Sequence, residues 1–108
     1  MPVQTICDGL LTSLSQRTLA HIEQRVEQIA VVSDCAVKRA LALIVDRTKQ
    51  LIEPSAAVGL AALMENEGLG RIIVNIAAQR ADHTVRVGIV WSGGNTTVGA
   101  LHDHISAI

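Results

Sequence analysis

The chain has 108 residues, 49% hydrophobic and 18% charged, with a net charge of −1, which describes one small globular domain rather than a disordered tail. Its apolar mass is Ala, Val, Leu and Ile with one Trp, no Phe and no Tyr, so elements can pack closely, large core anchors are scarce, and stability leans on a partner. Scattered Lys and Arg without aromatics to stack on bases argue against nucleic acid, no apolar stretch is long enough to span a membrane, and Cys7 and Cys35, lacking metal spacing and any secretory segment, read as reduced cytoplasmic thiols.

Residues 1–14 show no clear period; Asp8-Gly9 is a turn signal, and Thr12, Ser13 and Ser15 suit loop and cap positions. Leu19, Ile22 and Val26 fall at helical spacing, with Ser15 or Thr18 as N-cap. The run 29–32 is long enough for a small buried strand. Ser33 is the next N-cap, and Asp34 complements the helix dipole. Val37, Ala40, Leu41 and Ile44 line one face of that helix, which is expected to stop near Leu51 because Pro54 disfavours helical geometry at Glu53. Pro54 can open another helix. The small residues Ala56, Ala57, Gly59, Ala61 and Ala62 let it approach a sheet or a ligand, although tight core packing explains them as well. Residues 66–70 read as a loop. Leu69, Ile72, Ile73, Ile76 and Ala77 fit a helix better than a strand, 81–83 break the pattern, and a last helix is expected over 97–105.

The stretch Val87-Gly88-Ile89-Val90-Trp91-Ser92-Gly93-Gly94-Asn95 carries the site reading. A β-branched run ends at Ser92 and opens into a Gly-Gly-Asn loop, either an ordinary strand–turn or a loop that a ligand approaches closely. Glu53, before proline and a run of small residues, is a cap or dipole partner, or a carboxylate facing a cavity. A nucleophile elbow is missing, since the first glycine of G-x-S-x-G is Val90, and no Walker loop or dinucleotide fingerprint is present. His102 and His104 diverge by about half a turn on a helix, a poor pair for one metal ion; His21 and His83 stand alone. Lys38 and Lys49 read as solvated helix residues. The element order implies an α/β fold with a partial parallel sheet and flanking helices.

Taken in order, Thr5-Ile6-Cys7-Asp8-Gly9-Leu10, Val31-Val32-Ser33-Asp34, Ile52-Glu53-Pro54-Ser55-Ala56-Ala57-Val58 and Ser92-Gly93-Gly94-Asn95 resemble the C-terminal part of serine/threonine dehydratases and serine racemases, pyridoxal-phosphate enzymes of the tryptophan-synthase-β fold type. The resemblance covers most of residues 1–108. It implies that Ser92 hydrogen-bonds the cofactor's pyridine nitrogen, that Gly93 and Gly94 let the loop pass the ring, that Glu53 positions from nearby, and that Asp8-Gly9 is a loop by the active-site wall. It implies a β-hydroxy amino acid as the family's substrate. The family's Schiff-base lysine motif, Ser-x-Gly-Asn-His loop, phosphate cup and divalent-cation site have no counterpart in these residues. Thr96-Thr97 stand where the family has Val-Asp, Trp91 replaces a smaller aliphatic residue, and Leu19 and Ala20 replace first-helix aromatics. The expectation is a fragment of such an enzyme, catalytically inactive alone and self-associating to cover sheet edges. The alternative is a non-catalytic α/β oligomeric interaction module derived from one.

Overall fold

The computed structural model describes residues 4–7, 10 and 13–106, so the predicted turn at Asp8-Gly9 lies outside the described residues. Five α-helices follow in order: α1 (Gln16–Arg25), α2 (Asp34–Thr48), α3 (Val58–Glu65), α4 (Glu67–Gln79) and α5 (Val98–Ser106). A 3-10 turn, Pro54–Ala57, leads directly into α3.

Local chemistry accounts for the boundaries. The Ser15 hydroxyl accepts from the Thr18 N–H at the start of α1, and Ser33 does the same for Ala36 at α2, each satisfying one of the donors a helix start leaves over. Helix α2 stops at Thr48, three residues before the expected end. Lys49 there takes a left-handed backbone, φ 59°, and its N–H reaches the Val45 carbonyl. The Thr48 hydroxyl, meanwhile, donates to the Ile44 carbonyl and accepts from the Gln50 N–H. The expected 66–70 loop is instead a helix start. Asn66 Oδ1 caps the Leu69 N–H, and α4 begins at Glu67.

Helix α2 is the axis of the core. Val37, Ala40, Leu41 and Ile44, the stripe read from the sequence, are 0–3% exposed. Ala56, Ala57 and Ala61 of the 3-10 turn and α3, Ile52, and Leu101 of α5 close around them. Small residues bring these backbones near one another, as the composition implied. Helix α1 buries none of its side chains, and α4 packs on α3 with no fully buried residue of its own.

The expected parallel sheet is not formed: among the described residues there is no strand. A strand is defined by a neighbour about 4.8 Å away that takes its backbone hydrogen bonds. The runs 29–32 and 85–91, both rich in β-branched residues, have no such neighbour among the described residues. Helices α3 and α4 support 85–91 from one side through side chains alone. Ile89 lies against Gly59, where a Cβ would fall 2.6 Å from its Cγ2, so the small residue in α3 is what admits it. A short β-branched run reports a preference for extended backbone; whether a ladder forms depends on a partner that the run does not encode.

Candidate functional site

The 50–53 segment and the 93–97 loop run beside each other at one end of the core. The Glu53 N–H donates to the Gly93 carbonyl at 3.1 Å. A Cβ on Gly93 would stand 3.2 Å from Glu53 Oε1, and one on Gly94 would stand 2.6 Å from the Leu51 carbonyl oxygen. Neither glycine has a positive φ. Both are required for space rather than for backbone conformation, and the close approach is to the chain's own 51–53 segment.

Glu53 keeps an extended backbone, φ −79° and ψ 159°, as its place before Pro54 requires, and gives no side-chain cap to the turn that follows. Glu53 is half-buried and lines a cavity of about 200 Å³ that Ile6, Ser55, Asn95, Thr97 and His104 also line. Thr97 doubles as the cap of α5, its hydroxyl accepting from the Ala100 N–H at 3.1 Å. Ile6 is brought to the cavity by Asp34. That carboxylate accepts from the Thr5 hydroxyl and, at 3.1 Å, from the Ile6 N–H, pinning the N-terminal segment to the start of α2. The dipole role assigned to Asp34 from sequence was thus half of its task.

Ser92 is exposed and does not line this cavity. Asn95 lines it. His104, considered from the sequence as a poor metal partner of His102, is a half-buried wall of the cavity; the signal was the 97/100/104 spacing, which puts Thr97, Ala100 and His104 on one helical face. His102 is exposed, 3.7 Å from the Asp103 carboxylate. Neither lysine reaches the cavity: Lys49 Nζ donates to the Asp46 carbonyl, and Lys38 lies on α2. Among the described residues no group of three His, Cys, Asp or Glu is arranged to hold a metal ion, and no helix is long and apolar enough to cross a membrane.

No protein-family model matches the chain. It is 32% identical over 97 residues to serine racemase from Dictyostelium discoideum, covering 90% of this chain and 27% of that protein. Human serine racemase is 40% identical over 96 residues, 87% of this chain and 25% of the relative. Beta-hydroxyaspartate dehydratase from Paracoccus denitrificans is 31% identical over 98 residues, again 27% of its length. The crystal structure of the Dictyostelium serine racemase superposes on 89% of this chain and 28% of its own, with a TM-score of 0.71 and 32% identity. The chain spans about a quarter of the length of the curated relatives it matches. The resemblance carried by the Glu-Pro-Ser and Ser-Gly-Gly-Asn stretches thus holds along about nine-tenths of the chain, in sequence and in three dimensions, and the chain is a homologue of part of the serine racemases and of beta-hydroxyaspartate dehydratase.

Proposed function

We propose that these residues supply the ring-nitrogen end of a pyridoxal-phosphate site and turn over no substrate by themselves. The observation that supports this reading is the junction of Glu53 with the Ser-Gly-Gly-Asn loop, joined through the Glu53 N–H and the Gly93 carbonyl. Pyridoxal phosphate, when bound, supplies an electron sink for chemistry at the α-carbon of an amino acid. The exposed Ser92 hydroxyl would meet the pyridine nitrogen, and as a neutral partner it leaves that nitrogen unprotonated. That tempers the sink and suits elimination of water from a β-hydroxy amino acid, with limited racemisation. Gly93 and Gly94 let the loop lie close against 51–53, with Glu53 Oε1 beside Gly93. The donor set fits this end of the cofactor only: no lysine lies at the cavity, so no amine is placed to form the covalent link to cofactor or substrate.

The same reading includes self-association. The accessible surface is 8076 Å², against roughly 5,800 Å² expected of a compact chain of this mass. The radius of gyration is 15.5 Å, against about 13 Å. Large apolar side chains such as Ile29, Val31 and Val90 are 70–84% exposed, an arrangement that association relieves.

Absorbance titration with pyridoxal phosphate tests the site. The expected result is saturable binding that Ser92→Ala removes, with no consumption of serine or threonine. Equal binding by wild type and Ser92→Ala, or measurable turnover, overturns the reading.

A further inference from the structure

We infer that residues 85–91 form an antiparallel pair with the same residues of a second copy of this chain, making a two-stranded ribbon across a two-fold axis at Gly88. The inference deepens the self-association reading above and rests on it. Among the described residues, no backbone N–H or C=O of 85–91 has a hydrogen-bond partner, so seven consecutive residues present free donors and acceptors. Val85 and Ile89 are half-buried over α3 and α4, while Arg86, Val87, Gly88, Val90 and Trp91 are exposed. An unpaired, β-branched edge of this kind is a template for strand addition.

The occupant is a second copy because the sequence is complementary to itself. With Gly88 opposite Gly88, Val85 faces Trp91 and Val87 faces Ile89 on one face of the ribbon, and Arg86 faces Val90 on the other. Arg86 is the one Asp, Glu, Lys or Arg between Asp82 and Asp103, so no like charges oppose each other in this register, and apolar residues meet apolar ones. The surface in excess of a compact chain, about 2,300 Å² by the comparison above, exceeds the ~800 Å² per partner that a standard interface buries. A Cβ at Gly88 meets nothing within 4 Å in the single chain, which leaves room for the partner's backbone.

The test uses the full chain with the exposed thiol Cys35 replaced by Ser. In that background Gly88→Cys places two thiols face to face across the axis, within the range a disulfide spans. The expected result is a disulfide-linked dimer on mild oxidation, with a wild-type mass of two chains by light scattering. The charge-swap pair reads the register without touching the core, since Val90 is 84% exposed. Val90→Lys, set against the partner's Arg86, weakens dimerisation about tenfold or more relative to Val90→Glu, which pairs with it. A dimer in which Gly88→Cys does not cross-link and the two Val90 variants dissociate alike overturns the strand pairing and leaves self-association standing. A wild-type monomer at all concentrations overturns both. Cofactor titration is read separately, so neither outcome bears on Ser92.

Discussion

Gly94→Ala tests whether the site is built by close approach of two backbones. The added Cβ would lie 2.6 Å from the Leu51 carbonyl oxygen, where ordinary contact begins near 3.4 Å. Both sides are backbone, so no side chain can rotate away, and the loop must withdraw by most of an ångström. That lengthens the neighbouring bond from the Glu53 N–H to the Gly93 carbonyl, now 3.1 Å, beyond hydrogen-bonding range. Loss of the bond contributes about 0.5–1.5 kcal/mol and overpacking typically about 1–3 kcal/mol. Together they predict a destabilisation of about 1.5–4.5 kcal/mol by urea titration at constant m. Gly59→Ala is the control. Its Cβ meets Ile89 at the same 2.6 Å, but the obstacle is a side-chain methyl that can turn, and alanine inside a helix is favoured over glycine by about 1 kcal/mol. It should fall within about 1 kcal/mol of wild type. A Gly94→Ala protein as stable as wild type, or no less stable than Gly59→Ala, would show that the two segments are not held as described.

The remaining predictions concern the core, the N-terminal anchor and one ion pair. Leu41→Ala removes a side chain that is 0% exposed, so about 2–5 kcal/mol should be lost in denaturant titration. Asp34→Ala unpartners the Thr5 hydroxyl and the Ile6 N–H and removes a favourable charge from the start of α2. About 1–3 kcal/mol is expected, with faster amide exchange at Ile6. The Glu65 carboxylate accepts two hydrogen bonds from the Arg39 guanidinium, and that pairing holds it below its ordinary value of 4.5. A depressed carboxylate stabilises fully above its unfolded value and loses that contribution as pH falls through the folded one. The melting-temperature difference between wild type and Glu65→Gln should therefore be present at neutral pH, vanish in acid below the folded value, and shrink in high salt.

The helices were legible where one residue type leaves no alternative. Ser33 followed by the Val37, Ala40, Leu41 and Ile44 stripe describes a capped amphipathic helix, and the chain forms it. Asn66 was misread because asparagine serves loops and N-caps equally well, and only the Leu69 N–H above it decides between them. The sheet was misread for a different reason. Runs such as 85–91 have the composition of strands, yet a ladder is a property of two segments, and among the described residues no second segment pairs with this one. Glu53 and the Gly93-Gly94 loop could be named from sequence, but their adjacency could not: α3, α4 and their connecting chain, residues 54–92, separate them. His104 went unassigned because a single histidine on a short helix carries no pattern until its neighbours are placed.

Five of the residues that close the core are alanines: Ala36, Ala40, Ala56, Ala57 and Ala61. A methyl group withdraws little hydrocarbon from water, however near it brings two helices. The heat capacity released on unfolding should accordingly fall short of the about 1.3–1.6 kcal/mol/K typical of 108 residues. Calorimetry of the dilute chain should then trace a shallow, broad endotherm, sharpening as concentration rises and association adds hydrocarbon to what unfolding exposes.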